Sequence, residues 1–163
     1  MLAALKFLFA TLILAVNTLV LCSSMIPFAL AKLVLPITPV RHVCDRALMG
    51  IAALWMDINN FWLGAVNPVR WHVHGVDGLD PRGWYLVASN HQTWVDILVL
   101  QRVFNRRIPM LKFFTKKELI YVPVIGLAWW ALDFPFMQRK GGASARADLA
   151  AGRKACEKFR LVP

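Results

Sequence analysis

Acidic residues are scarce in this chain of 163 residues: 9 Asp and Glu stand against 19 Lys and Arg, a formal net charge of +10. Charge of either sign is thin, at 17% of residues, where soluble domains carry about 25%. Cysteine is nearly missing. Cys22, Cys44 and Cys156 are far apart, odd in number, and form no CxxC or Cys/His ligand spacing. That excludes a disulfide framework and a structural zinc site, and predicts reduced, mostly buried thiols facing the cytosol. A Gly-rich phosphate loop, a dinucleotide fingerprint, internal repeats and low-complexity tracts are absent too. What the chain has in excess is apolar surface: 58% of residues, with a mean hydropathy of +0.53. Disorder is thereby excluded and a freely soluble globule disfavoured. Basic charge on so apolar a chain points to an anionic membrane surface or to phosphorylated substrates, not to nucleic acid.

The apolar excess concentrates at the N-terminus. No charge occurs from Phe7 to Ala31, between Lys6 and Lys32. Those 25 residues exceed the roughly 20 needed to cross a hydrocarbon core as helix. Pro27 should kink or end the first helix. A second apolar run, Phe28 to Leu35, stops at Pro36 and Pro39. Both a tilted spanning helix and a helical hairpin dipping into one leaflet fit this pattern. A cleaved signal peptide fits less well, and Leu21 before Cys22 spoils a lipoprotein-type cleavage site. Lys32, Arg41 and Arg46 follow the segment while only Lys6 precedes it, so the remainder is expected in the cytosol, on the inner face of the cytoplasmic membrane.

Beyond the anchor, Leu48, Ile51, Ala52, Trp55, Ile58 and Trp62 recur at helical spacing, which predicts an amphipathic helix over 45–62. Trp55, Trp62 and Trp71 suit either a membrane interface or plain packing. From Val69 the period becomes two: Val69, Trp71 and Val73 alternate with Arg70, His72 and His74, a strand with one buried face. Further strands are expected over 84–89, 108–114 and 134–137. Helical segments are expected over 93–104, 116–121, 126–131 and 143–159, the first capped by Thr93 with Asp96 three residues on. Strands alternating with helices predict a layered α/β fold.

The sharpest local feature is Asn90-His91-Gln92-Thr93-Trp94-Val95-Asp96. A strand delivers His91 to a loop and a helix begins at once. Asp96, in the first helical turn, can fold its carboxylate back to the imidazole. A carboxylate on one ring nitrogen fixes the tautomer and raises the basicity of the other. No serine or cysteine nucleophile sits beside this pair, so the substrate's own hydroxyl would be the nucleophile. His72 and His74 could form half a metal site, but no Cys, Asp or Glu falls nearby at ligand spacing, and no metal is expected. Arg102, Arg106, Arg107, Lys112, Lys116 and Lys117 form either a solvated face or a surface for lipid headgroups and acyl carriers. Arg153, Lys154, Lys158 and Arg160 read as a solvated helix face.

After the His91 block come Lys112, then Lys117-Glu118-Leu119, then the turn Pro123-Val124-Ile125-Gly126, and finally Phe136-Met137-Gln138-Arg139. In this order, behind an apolar anchor, the stretch from Trp71 to Lys140 resembles the 1-acylglycerol-3-phosphate acyltransferase family, whose first block is NHx4D. The resemblance implies a glycerol-3-phosphate acyltransferase-like layered α/β domain. It implies transfer of a fatty acyl group from acyl-CoA or acyl carrier protein to the 2-hydroxyl of lysophosphatidate, with no cofactor besides the acyl donor. Membrane lipids, a lysophospholipid acceptor and the acyl carrier are the implied partners. His91 and Asp96 would be catalytic, and Asn90, Lys112 and Arg139 would bind substrate. The family's Glu-Gly-Thr-Arg block has no match before Leu161-Val162-Pro163. The expected organisation is therefore an anchor over 1–40, a connecting amphipathic helix over 41–66 and the N-terminal part of an acyltransferase domain over 67–163, inactive by itself. The alternatives are a non-catalytic, membrane-anchored basic module that binds anionic lipid, and an acyltransferase with another lipid acceptor.

Overall fold

The computed structural model describes residues 2–35, 37–66, 69–137, 146, 149–150, 152–154 and 156–157. Its first half is a bundle of three helices: α1 over Leu2–Ser24, α2 over Ile26–Val34 and α3 over Thr38–Val66. The break at Met25 has a local cause. Pro27 lacks the N–H that would continue the ladder, and its ring would clash with the carbonyl four residues back. Within α1 the hydroxyls of Thr11 and Thr18 donate to the Phe7 and Leu14 carbonyls, so the apolar helix exposes few unpaired polar groups. The stretch Ala4–Val34 is long and apolar enough to cross a membrane.

α3 runs back along α1 in the opposite sense. Phe9 meets the Trp62 ring edge-on at 5.5 Å, Thr18 accepts from Trp55 Nε1 at 3.0 Å, and Asn17 donates to Asn59 Oδ1 at 2.7 Å. The amphipathic face expected over 45–62 is thus real and longer than expected, and its Trp55 and Trp62 indoles pack on α1. Asn59 is buried, and its pairing with Asn17 satisfies two amides that would be costly alone.

The second half carries α4 over Val95–Phe104, strand β1 over Thr115–Lys116, a 3-10 turn over Lys117–Tyr121, helix α5 over Ile125–Ala131 and strand β2 over Phe136–Met137. β1 and β2 pair in parallel, Thr115 with Phe136 and Lys116 with Met137. Parallel neighbours need a crossover of a dozen or more residues, and the 3-10 turn with α5 supplies it. The crossover is tightly drawn at Pro123-Val124-Ile125-Gly126. Val124 has φ 65 and ψ −53 while Ile125 N donates to Pro123 O at 2.7 Å, a γ-turn that a β-branched residue adopts only under strain. A Cβ on Gly126 would stand 2.1 Å from the Ile120 carbonyl oxygen, so only glycine fits.

The core joins the two halves. Cys22, Met25 and Ala29 from α1–α2, Leu48 and Ala52 from α3, and Ala128, Ala131, Leu132 and Phe134 from α5 and its exit form one buried cluster. The apolar N-terminal segment is therefore not uniform. Leu5 to Val20 present a run of exposed apolar side chains, whereas Cys22, Met25 and Ala29 belong to the protein's own core. Cys22 and Cys44 are buried free thiols, as expected, while Cys156 is exposed.

Several expectations need correction. The layered α/β architecture reduces, among the described residues, to a helix-rich chain with one small parallel sheet. The stretches 69–73, 84–89 and 108–114 are not strands. Alternating side chains specify a strand only where a neighbour completes the hydrogen-bond ladder and buries one face. Here Val69, Trp71, Val73, Trp84 and Leu86 are all exposed, Leu86 at 87%. His72 and His74 accordingly share no strand face; both are exposed. The helices at 95–104, 117–121 and 125–131 and the strand at 136–137 fall within a residue or two of their expected places. The helix expected over 143–159 lies largely outside the described residues.

Candidate functional site

The site is built on the loop that enters α4. Asp96 lies in the first helical turn, where a carboxylate is favoured by the exposed N–H groups of the helix start. Its Oδ2 accepts from Gln92 N at 2.6 Å and from Thr93 N at 2.8 Å. Half of the expected capping box thus forms, the half made by the carboxylate. The Thr93 hydroxyl caps nothing; the carboxylate reaches back and collects the loop's two backbone donors. The same oxygen lies 3.4 Å from His91 Nδ1. One atom therefore fixes both the loop backbone and the ring that the loop carries.

The electrostatics follow from those contacts. The Thr93 amide first, the Gln92 amide second and the neighbouring imidazole hold the Asp96 carboxyl below its ordinary range. It is a carboxylate at neutral pH. With Nδ1 held against that carboxylate, the favoured neutral tautomer carries its proton on Nδ1 and leaves Nε2 as the basic nitrogen. The His91 side chain is 63% exposed and that of Asp96 32%, so the base is open to a substrate and its orienter is half covered. The pair can accept a proton from a hydroxyl and hold the resulting imidazolium.

The structure thus brings His91 and Asp96 together. Asn90 precedes His91 in the same exposed loop. Lys112 is half-buried in the extended stretch leading into β1, on a different element. Arg139 lies outside the described residues. Among the described residues no three His, Cys, Asp or Glu side chains gather as metal ligands. The basic cluster divides. Arg102 donates to the Asn60 carbonyl at 2.8 Å and stacks over Trp71 at 4.7 Å, and Arg106 pairs with Asp57. Both tie α4 and its exit to α3, a role that spacing alone did not reveal. A cavity of about 160 Å³ between α3 and α4, lined by Met49, Met56, Gln101, Phe104 and Arg106 among others, includes none of Asn90, His91, Asp96 and Lys112.

The capping pattern, an acidic residue three positions past Thr93, already implied the Thr93 backbone donor; the Gln92 donor to the same oxygen is what sequence reasoning missed.

Comparison with known proteins bears on the same region. A family model described as acyltransferase matches residues 70–162. The curated 1-acyl-sn-glycerol-3-phosphate acyltransferase alpha proteins of Mus musculus, Homo sapiens and Bos taurus are each 34% identical over 73 residues, 44% of this chain and 24% of theirs. The match thus spans about a quarter of the length of those relatives. No solved structure matches.

Proposed function

The chain belongs to the acyltransferase family, and on that premise we propose that it serves transfer of a fatty acyl group to the 2-hydroxyl of lysophosphatidate, giving phosphatidate. The donor is acyl-CoA or acyl carrier protein, whose thioester is already activated, so no further cofactor is needed. The observation that carries this reading is the contact of Asp96 Oδ2 with His91 Nδ1, inside the matched region. The relatives named above carry lysophosphatidate acylation in their names, which supports the choice of acceptor.

In the proposed reaction His91 Nε2 takes the hydroxyl proton as the acceptor oxygen attacks the thioester carbonyl. The C–O bond forms, the C–S bond breaks, and the imidazolium returns its proton to the departing thiolate. Asp96 orients the ring and stabilises its charged form. No acyl-enzyme forms. Arg139 and Lys112 hold the acceptor's phosphate, Arg139 by the planar fork that meets phosphate oxygens in pairs, and Asn90 supports the reacting groups. The exposed apolar run of α1 sits in the cytoplasmic membrane, and the family domain faces the cytosol, where the acyl donors are.

The test is phosphatidate formation from labelled acyl donor and lysophosphatidate by the whole protein in membranes. Turnover with an Arg139→Ala variant whose KM rises for lysophosphatidate but not for the donor supports the reading. Acylation of some other lipid in preference to lysophosphatidate would move the acceptor assignment, and trapping of an acylated side chain would overturn the direct mechanism.

A further inference from the structure

Lys32 is a lysine in the last turn of an otherwise uncharged helix, α2, inside the stretch long and apolar enough to span a membrane. It does not reach for solvent. Its side chain is 8% exposed, and its ammonium meets Asp45 Oδ1 at 2.7 Å, Asp133 Oδ2 at 2.9 Å and the Ala131 carbonyl at 2.9 Å. These acceptors come from α3 and from the exit of α5. One cation thus joins α2 and α3, and with them the helical hairpin formed by α1–α2 and the antiparallel α3, to the crossover that precedes β2.

The α5 exit is unusual in ways that this contact explains. Asp133 N donates to Trp130 O and Phe134 N to Trp129 O, the paired bonds of a Schellman ending. That ending wants glycine at its left-handed position, yet Asp133 stands there with φ 57. An acidic group is also misplaced at a helix C-terminus, where the carbonyls point outward. A buried lysine, a left-handed aspartate and a carboxylate at the wrong helix end each cost stability locally. Together they make one satisfied contact. Local rules broken in concert mark a position held for a purpose beyond the helix ending itself.

What the contact controls follows from the chain path. Asp133 lies two residues before Pro135, whose carbonyl accepts from Thr115 N at 2.9 Å, and Thr115 pairs with Phe136 in the sheet. Lys112 stands three residues before β1. We infer that Lys32 is a positioning residue: it latches the membrane hairpin to the β1–β2 pair and so sets where Lys112 meets an acceptor lipid. The inference rests on the proposed role of Lys112 in binding the acceptor. Chemically, the acceptor is an amphiphile whose tail lies along the hairpin and whose phosphate must reach a cation at a fixed height. A slack latch blurs that height.

The experiment uses the whole protein reconstituted in phosphatidylglycerol-containing vesicles, with three variants: Asp133→Gly, Lys32→Met and Lys32→Arg. Asp133→Gly is the sharpest, because it supplies the residue that the helix ending prefers and leaves Lys32 paired with Asp45. A mere cap would tolerate it or gain from it. The latch predicts a rise of about tenfold in KM for lysophosphatidate, with kcat and donor KM unchanged. Lys32→Met should repeat that split and Lys32→Arg should restore most of it. Hydrogen exchange at the Thr115 and Phe136 amides should quicken in Asp133→Gly, a readout that does not depend on turnover. An inactive wild type sinks the proposed acyl transfer but leaves the exchange readout to judge the latch. Unchanged exchange at those amides, or an unchanged acceptor KM in an active Asp133→Gly enzyme, overturns the latch.

Discussion

The hairpin with its core and the loop that carries His91 are held together in opposite ways. In the hairpin each contact has others behind it. Asn17 meets Asn59, Trp55 meets Thr18, Phe9 meets Trp62, and Leu48 and Ala52 pack into a shared cluster with α5. In the loop a single carboxylate oxygen of Asp96 receives Gln92, Thr93 and His91, and the Trp84, Leu86 and Trp94 side chains, near it in sequence, are exposed. The difference separates two kinds of lesion. Damage to the hairpin or its core should change stability, whereas damage to the loop should change chemistry and leave the fold standing.

The largest stability effect is expected at the crossover. Gly126→Ala drives a Cβ into the Ile120 carbonyl, and neither partner is the end of a flexible side chain. A loss of about 3 kcal/mol is expected, at the upper end of overpacking lesions, read as a fall in the thermal midpoint in detergent. An unchanged midpoint would show that the 3-10 turn yields freely and that the core is looser than described.

Asn59→Leu comes next. It removes the 2.7 Å acceptor of the Asn17 amide and leaves that nitrogen only the longer contact to the Trp55 carbonyl at 3.4 Å, and a polar group left short of partners costs about 1–3 kcal/mol. The double change Asn17→Leu/Asn59→Leu should recover part of that loss, because neither amide of the pair is then left short of its partner. A double variant worse than the single one would contradict the pairing.

How much of this was legible beforehand divides along the same line. A helix satisfies its own backbone, so Pro27, the apolar run and the 3.6-residue period placed α1, α2 and α3 without knowledge of their neighbours. A strand borrows its hydrogen bonds from elsewhere. The alternation of Val69, Trp71 and Val73 was therefore true as a pattern and wrong as structure, since no ladder forms there among the described residues. The pairing of His91 with Asp96 was legible because five residues and a helix start bring the groups together locally. The contact of Lys32 with Asp133, about a hundred positions apart in sequence, left no local signal beyond a lysine where none was wanted.

A smaller effect is expected where the two regions touch. Asp57 on α3 pairs with Arg106 beyond α4 in a largely exposed position. Exposed ion pairs contribute about 0.2–1 kcal/mol and are screened by salt. Asp57→Ala should therefore shift the thermal midpoint slightly, and less at high salt than at low. A large, salt-independent loss would mean that the α3–α4 junction belongs to the core rather than to the surface.

The smallest effect on stability is expected in the loop, and pH is the way to see it. The folded pKa of Asp96 lies below its unfolded value. Its contribution is therefore present above the ordinary carboxylate range and is lost as pH falls through the lowered folded value. The Gln92 and Thr93 amide resonances should titrate with a midpoint below the ordinary value of about 3.9, while the thermal midpoint changes little. A midpoint at or above that value would mean that the two amides do not hold the carboxylate.

The central claim is that His91 is the base of an acyl transfer while contributing nothing to the fold. It is tested most directly by one paired measurement on His91→Ala in the whole protein: phosphatidate formation and thermal midpoint on the same preparation. The account predicts a turnover loss of roughly 10²–10⁴-fold, the usual worth of a positioned general base, with the midpoint within about 0.5 kcal/mol of wild type, as for an exposed residue away from the core. Wild-type turnover in that variant, or loss of activity that merely tracks unfolding, would contradict it.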